Sequence, residues 1–457
     1  MLDQKYGRYK VNFITVAEMV ALLAFSLLVL PLRDAFIKDF ELGFQFMLIG
    51  IITAVALCIE NQRYSFSASM NLYFFSYLFF FCAPLFQLSN DTFRWFLYPS
   101  IDEMIFANTL ILSGLASFFI GNLFSVDINI KERIKHNKNN FEVRNKILYL
   151  FIVLLSIYIL YLFTFLSISD FFSRATFQTN TSSSQAIGLI ITSVRNGIAL
   201  ICLLVLIKKF KEKKSFFNAI LLSYFIGVTL FLVPPTGVAR FLSGAFYGTV
   251  LLYSFPRLRS GRLFLVLMFL FILIIFPMLN NFRYINSNPL QLFDILSGLS
   301  DNFQSADFDA YTMLLYITEY VTSFGITFGY QLLGPILFFI PRSIWADKPV
   351  GSGSMIVDEL GIPINGNVSA PWIGEFYINY GYFGVLIFSF IVGVLLRSLD
   401  KKYWDKNNSG YYFKLIYPFF SLMIIFICRG DFMSSYSFLF GTIISTYFTY
   451  HCLSKKE

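Results

Sequence analysis

The chain has 457 residues, of which 57% are apolar, 19% aromatic and only 14% charged. A soluble domain has about 45–50% apolar and about 25% charged residues, so this composition excludes a soluble globular protein and predicts a polytopic membrane protein. The net charge of +8 does not indicate nucleic-acid binding, because the Lys and Arg residues fall in short clusters between apolar runs, as topology determinants do.

Apolar runs of spanning length recur along the whole chain. A helix that crosses a bilayer needs roughly 20 mainly apolar residues. On this template the sequence predicts twelve spanning helices, at residues 12–32, 41–59, 70–89, 104–126, 147–168, 186–207, 216–234, 238–255, 263–280, 381–399, 412–428 and 433–452. The first run lacks a small-residue cleavage site, so we expect a spanning helix there and not a removed signal peptide.

The distribution of Lys and Arg predicts the orientation of these helices. The N-terminus and the even-numbered loops hold 25 of the 35 Lys and Arg residues, and the odd-numbered loops hold nine. Cytoplasmic loops carry the excess of these residues, so we expect both termini in the cytoplasm. The longest loop, residues 281–380, then faces the outside. It separates residues 1–280, with helices one to nine, from residues 381–457, with helices ten to twelve and the C-terminus.

Two features of this long loop suggest function. Phe328–Ile340 is apolar but too short to cross, and a Gly-Pro pair interrupts it, so we predict a re-entrant or interfacial helix. The segment Pro341–Pro349, here called the proline loop, follows directly. Its two prolines fix the backbone around Arg342, Trp345 and Lys348, which excludes a spanning helix or an inner strand and predicts a rigid loop.

Arginine is the residue type that indicates a ligand. Arg195 lies near the middle of the sixth predicted helix, where an ionisable side chain marks a functional site or an internal ion pair. Few basic residues are expected outside, and several of them lie at tight turns or in the long loop: Arg240, Arg283, Arg342, Lys348 and Arg429. Arginine presents a planar fork of donors that suits phosphate, so the set favours a polyanionic ligand, although each arginine alone is equally well explained as a surface or ion-pairing residue.

Carboxylates supply the candidate bases. Glu375 stands about six residues before the tenth predicted helix, among apolar and aromatic neighbours that would suit a general base, an interfacial cap or an ion-pair partner. Asp307 and Asp309 have the spacing of an acidic metal-binding pair, but that pattern is too common to predict a metal site. Neither His136 nor His451 is expected outside, so an outer base must be a carboxylate, a tyrosine or the substrate itself.

The proline loop, a following Gly/Ser run at residues 351–354, and Glu375 ahead of a Gly-Tyr-Phe-Gly helix start together resemble the motif of Wzy-type O-antigen and capsule repeat-unit polymerases. The predicted topology is similar to theirs. The resemblance implies an all-α polytopic membrane protein of about twelve transmembrane helices, with GT-C-like architecture and one large periplasmic loop that contains a re-entrant or interfacial helix.

The function that this resemblance implies is that of a membrane glycosyltransferase of the hexosyltransferase type. Such an enzyme joins undecaprenyl-pyrophosphate-linked repeat units on the periplasmic face of the bacterial inner membrane. Its expected partners are those lipid-linked units, membrane lipid and a Wzz-type chain-length regulator, with no nucleic acid, cofactor or metal. The sugars, the linkage and the anomeric outcome are left open.

A pyrophosphate donor carries its own leaving group, so the site needs cations and at most one base. We therefore predict catalytic roles for Glu375, Arg342 and Arg240, and substrate-binding roles for Arg195, Arg283, Tyr284, Trp345, Lys348 and Arg429. One alternative is a lipid-linked oligosaccharide transporter, which would also need intramembrane arginines but would not need a large outer loop. An O-antigen ligase-like enzyme is the other, although such ligases usually rely on an outer-loop histidine that this chain lacks.

Overall fold

The structure is a computed structural model that describes residues 29–95, 97–126, 142–173, 185–276, 303–364, 368–405 and 410–455. These residues form helices and connecting segments, and a single isolated antiparallel bridge between Val143 and Ser454 is the β-type pairing among them. The predicted all-α fold class is confirmed for this part of the chain.

Sixteen helices are numbered here in chain order. They are α1 (Val29–Lys38), α2 (Phe40–Arg63), α3 (Ala68–Ser89, with a π-turn at Leu78–Cys82), α4 (Ile101–Leu123), α5 (Asn145–Leu162), α6 (Ile168–Phe172), α7 (Gln185–Glu212), α8 (Phe216–Leu232), α9 (Arg240–Ser254), α10 (Gly261–Leu270, continued by a π-turn at Phe271–Ile275), α11 (Ala310–Phe324), α12 (Tyr330–Ile336), α13 (Ser352–Glu359), α14 (Trp372–Trp404), α15 (Tyr411–Arg429) and α16 (Phe432–Leu453).

Seven of the described helices are long and apolar enough to cross a membrane: α2, α3, α4, α5, the Gly188–Glu212 part of α7, α14 and α15. The chain is therefore a membrane-embedded, polytopic protein. The apolar helices α8 and α10 are shorter. Eleven of the twelve predicted runs coincide with described helices, whereas most of the first run, 12–32, lies outside the described residues. Twelve crossings stay a prediction.

Small residues let the longest helices meet at their backbones. A Cβ atom added at Gly121 of α4 would lie 2.1 Å from the carbonyl oxygen of Phe390 in α14, and one added at Gly393 of α14 would lie 2.3 Å from the carbonyl oxygen of Phe118. Helices in a bilayer associate by close packing of this kind, because lipid supplies no hydrophobic force between them. The α4–α14 pair has the most extensive contact between described helices, and α7 with α16 forms a second extensive contact.

Residues 303–364 and 368–371, here called the cap segment, pack against one end of the bundle. Its longest helix, α11, is buried over its first nine residues and packs against α14 and α4. The predicted interfacial helix Phe328–Ile340 corresponds to the short α12, which contains Pro335 and packs against α16. The described part of the predicted loop therefore contains three helices, α11, α12 and α13.

The element α14 consists of two helices separated by a kink at Tyr380 (φ −141°) and Gly381 (φ +63°). Glycine adopts a positive φ without steric cost, so the chain turns at this position. The spanning helix expected from residue 381 therefore starts at the kink. Glu375 lies in the short helix before the kink, at residues 372–379, which the sequence did not predict.

Candidate functional site

The proline loop is held closed by its own two cations. Arg342 donates from Nη1 to the carbonyl oxygen of Lys348 at 2.6 Å and from Nη2 to that of Pro349 at 3.1 Å. Lys348 donates from Nζ to the carbonyl oxygens of Phe338 and Ile340, at 2.8 and 2.9 Å. Each cation thus binds carbonyls of the opposite arm of the loop, in a segment where the prolines lack an N–H to donate.

Lys348 is buried, whereas Arg342 is exposed and Trp345 is half-buried. Burial, and then the neighbouring charge of Arg342, lower the pKa of Lys348 below its ordinary value. The loop therefore uses Lys348 mainly as a structural donor, and Arg342 presents its guanidinium at the surface.

Directly after the proline loop, the chain enters a buried carboxylate site at the start of α16. Ser352 donates from Oγ to Oε2 of Glu375 at 2.8 Å, and the backbone N–H of Phe432 donates to Oε1 at 2.8 Å. Only 1% of Glu375 is exposed. A Cβ atom added at Gly351 would lie 2.7 Å from Oδ2 of Asp431, so the backbone passes close to a second carboxylate.

Asp431 caps the N-terminus of α16. Its Oδ1 accepts from the backbone N–H of Ser434 at 2.8 Å and from Ser434 Oγ at 3.0 Å. Burial raises the pKa of the Asp431 carboxyl above its ordinary value, although these hydrogen bonds and the charge of Arg429 oppose the shift. The positive end of the α16 dipole thus faces two carboxylates, those of Glu375 and Asp431.

Arg240, the first residue of α9, forms a buried ion pair with Asp307 of the cap segment. Its Nη1 donates to Oδ2 of Asp307 at 3.0 Å, and its Nη2 donates to Oδ1. Nη1 also donates to the carbonyl oxygen of Phe276 at 3.0 Å, and the guanidinium lies 4.2 Å from the centre of the Phe276 ring. This is a two-point arginine–carboxylate contact that occupies both oxygens of the aspartate.

Arg429, the last residue of α15, pairs with the neighbouring carboxylate. Its Nη2 donates to Oδ1 of Asp309 at 2.9 Å and to the carbonyl oxygen of Ala306 at 3.0 Å. The other oxygen of Asp309 accepts from the backbone N–H of Ser369 at 3.3 Å. A Cβ atom added at Gly353 would lie 2.8 Å from the carbonyl oxygen of Ser369, which connects this pair to the start of α13.

These contacts bring three predicted site residues, Arg240, Arg429 and Glu375, into one buried region, in which close backbone packing and not a hydrogen bond links Ser369 to α13. The chain of contacts runs from Arg240 through the Asp307–Asp309 turn to Arg429, and through Ser369 and α13 to Glu375. We call it the arginine–carboxylate network. Sequence reasoning missed Asp307 and Asp309 as arginine partners, although two acidic residues at i and i+2, both expected beside outer arginines, were the available signal.

The remaining predicted site residues lie elsewhere. Arg195 is buried in α7, with the hydroxyls of Tyr158 and Tyr247 near its guanidinium. Tyr247 follows Arg240 by seven residues in α9, and its hydroxyl donates to the carbonyl oxygen of Val233 at 2.6 Å. Arg283 and Tyr284 fall outside the described residues.

An apolar groove lies between α7, α16 and the end of α12. Its volume is about 780 Å³, and no charged side chain lines it. The rim at the cap end consists of Pro335, Ile336, Phe338 and Phe339, which lead directly into the proline loop. Because Lys348 binds the carbonyl oxygen of Phe338, the loop is tied to this rim.

Among the residues that the structure describes, no group of three His, Cys, Asp or Glu side chains is arranged to hold a metal ion. Comparison of the chain with protein-family models, with curated proteins and with solved structures finds no match. The resemblance to repeat-unit polymerases stays a prediction based on the proline loop and its surroundings.

Proposed function

We propose that this protein is a membrane glycosyltransferase that polymerises an O-antigen or capsule polysaccharide. It would join undecaprenyl-pyrophosphate-linked repeat units on the periplasmic face of the inner membrane. One observation carries the proposal: the apolar groove, the proline loop and the arginine–carboxylate network follow one another without a break. A lipid-linked sugar pyrophosphate has the same order of parts, an apolar chain, an anionic head and a polar glycan.

The groove suits the lipid end of such a substrate, since it is apolar along its length and opens beside a cationic loop. At the rim, Phe339 is followed within three residues by the exposed Arg342. Arginine binds phosphate through paired N–H groups, and a fixed guanidinium stabilises the charge that develops as a pyrophosphate leaves. Arg342 and Arg429 are the arginines that best fit this role.

The proposed reaction needs one bond made and one broken. The acceptor hydroxyl oxygen attacks the anomeric carbon of the donor, the bond from that carbon to the pyrophosphate oxygen breaks, and the lipid keeps the pyrophosphate. The hydroxyl proton passes to a carboxylate, for which Glu375 is the candidate. Each of its oxygens accepts one hydrogen bond in this structure, which leaves a lone pair on each oxygen for the proton.

A second candidate, a transporter of the same lipid-linked glycan, is favoured by Arg195. Its guanidinium is buried among the helices, where it would serve a path across the membrane. This function requires no chemistry at Glu375.

The deciding experiment uses the purified full-length protein in detergent and the lipid-linked repeat unit that accumulates in a strain lacking the gene. We expect lengthened glycan and release of undecaprenyl pyrophosphate. Arg429→Ala should reduce the rate about 100-fold or more. Arg33→Ala is the matched control, because Arg33 is an exposed arginine paired only with Asp34 in α1, and it should not change the rate.

No lengthened glycan from folded protein would contradict the polymerase. Movement of the lipid-linked unit across liposomes without a new linkage would support the transporter.

A further inference from the structure

The two ion pairs of the arginine–carboxylate network differ in how completely each arginine is used. We propose that Asp309 is an internal competitor for Arg429 that the pyrophosphate of the ligand displaces, whereas Asp307 and Arg240 form a permanent pair. The proposal rests on the proposed function for the identity of the ligand, a pyrophosphate ester. Asp309 would thereby set the affinity of the site for the anionic head.

The Arg240 pair is saturated. Both oxygens of Asp307 accept from the guanidinium, a backbone carbonyl accepts a further bond, and the Phe276 ring covers one face. Little of either side chain is exposed, as in the Arg429 pair, so the number of contacts and not burial distinguishes the two pairs. A ligand would have to replace a two-point contact in a buried site, which is the strongest geometry available to arginine and a carboxylate.

The Arg429–Asp309 pair uses only part of the donors of the guanidinium. Only Nη2 contacts Asp309, and the same nitrogen also serves the carbonyl oxygen of Ala306. The Nε of Arg429 is buried and has no hydrogen-bond partner. A guanidinium can bind two oxygens side by side, so an anion with several oxygens completes the donors that a single carboxylate oxygen leaves incomplete.

The Asp309 carboxylate has other potential hydrogen-bond donors besides Arg429. Asp309 occupies the N-cap position of α11, yet its side chain makes no capping bond to that helix. The hydroxyl of Thr312, three residues further on, is buried without a partner among the described residues, and so is the hydroxyl of Ser369. The backbone of Asp309 is helical, with a φ of −80° and a ψ of −1°, so these hydroxyls, and not the N–H groups of the helix, are the donors we expect it to use. Rotation away from Arg429 would give the carboxylate the hydroxyls of Thr312 and Ser369, so its release leaves no buried charge without donors.

The backbone of the turn does not have to move in this exchange. Gln87 donates from Nε2 to the carbonyl oxygens of Phe303 and Phe308, at 2.9 and 3.0 Å, and holds the turn from the α3 side. The Asp307–Arg240 pair holds it from the α9 side. The proposed change is confined to a rotation of the Asp309 side chain. It converts the neutral Arg429–Asp309 pair into a free guanidinium that can bind a polyanion.

Binding of inorganic pyrophosphate to the full-length protein in detergent tests the proposal by calorimetry. Asp309→Asn keeps the shape of the side chain and removes its charge, so pyrophosphate should bind about tenfold more tightly than to the wild type. Thr312→Val removes the waiting partner of the released carboxylate, so binding should weaken about 2- to 10-fold. A purely structural threonine would leave the dissociation constant unchanged.

Asp91→Asn is the matched control, because Asp91 forms an exposed ion pair with Lys38 and should not alter binding. Equal or weaker binding to Asp309→Asn, in a protein that melts at the wild-type temperature, overturns the proposal. If that variant does not fold, an unchanged dissociation constant for Thr312→Val overturns it instead. Tighter binding to Asp309→Asn without any lengthened glycan would refute the polymerase and leave this inference standing, whereas glycan lengthening with unchanged pyrophosphate binding would refute this inference alone.

Discussion

At the scale of single residues, Asp431 is both the cap of α16 and a buried titratable group, and these two properties depend differently on pH. Its carboxyl caps α16 through Ser434, a contact that an amide oxygen can also make. Burial raises its pKa above the ordinary value of 3.8, so the folded protein holds the proton more tightly than the unfolded chain does. The stability that this group contributes is complete below the ordinary pKa and is lost as the pH rises through the raised one.

We therefore predict that Asp431→Asn stabilises the protein increasingly as the pH rises. The asparagine keeps the cap and carries no charge, so the melting temperature of the variant minus that of the wild type should be larger at about pH 7 than at about pH 3.5, just below the ordinary pKa of 3.8. Thermal unfolding in detergent at the two pH values measures this difference. Asp358→Asn, at an exposed position in α13, is the control and should show the same small difference at both. A difference that shrinks with rising pH would contradict the raised pKa.

At the scale of elements, the proline loop depends on two cations that close it jointly. Lys348 satisfies two carbonyl oxygens and Arg342 two more, across the same loop. Loss of either cation leaves carbonyls unpaired, at a cost of about 1–3 kcal/mol for each one that stays buried. Once one cation has been removed and the loop has opened, removal of the second cation costs less stability.

We predict that Lys348→Met and Arg342→Gln are non-additive. Each substitution should lower the melting temperature, and Lys348→Met should lower it more because Lys348 is buried. The double variant should lose less stability than the sum of the two single losses, with a coupling free energy of about 1 kcal/mol or more. Thermal unfolding of the four proteins measures the cycle. The exposed pair Lys455 and Glu142 provides a control cycle, for which the coupling should be about 0–1 kcal/mol. Strict additivity in the loop would mean that the two cations do not act on one structure.

The elements also differ in how readily they are predicted from sequence. Spanning helices such as α4 are predicted to within a few residues, because an apolar run of membrane length rarely forms anything but a spanning helix. The sequence does not predict the buried α11, since its 15 residues fall below that length and its burial depends on packing against α14 and α4. The helix start expected at residue 381 coincides with the kink at Gly381, whereas the short helix before it is not predicted, because its length is far below that of a spanning run.

The candidate site was predictable in its residue types and not in its pairings. Arg240, Arg429 and Glu375 were singled out because charged side chains stand out against an apolar chain, and they do meet in one network. Which carboxylate neutralises which arginine depends on how the cap segment folds back onto α9 and α15, and no local pattern encodes that. Arg195 was grouped with them because it is an arginine within a predicted spanning helix, but its guanidinium lies beside Tyr158 and Tyr247 and not beside the carboxylates of the network.

At the scale of the whole molecule, the orientation and the number of crossings can be tested together. Lys214 lies in the exposed turn between α7 and α8, and Ile344 is the most exposed apolar residue of the proline loop, with 78% of its surface accessible. Between Lys214 and the cap segment the described chain has three apolar helices, α8, α9 and α10. An odd number of crossings puts the two positions on opposite sides of the membrane.

We predict that Ile344→Cys is labelled by a membrane-impermeant maleimide in spheroplasts, and that Lys214→Cys is labelled only after permeabilisation. The background is Cys452→Ser, since the four other cysteines are buried. The helices α8 and α9, of 17 and 15 residues, extend only about 26 and 23 Å, against a hydrocarbon core of about 30 Å, so they cross only if the bilayer thins or polar side chains reach the interface. Labelling of both positions from one side would mean that an odd number of the segments between them fails to cross. Labelling of Lys214→Cys alone in spheroplasts would keep the crossings and reverse the orientation, which would put the proline loop in the cytoplasm and contradict a periplasmic polymerase.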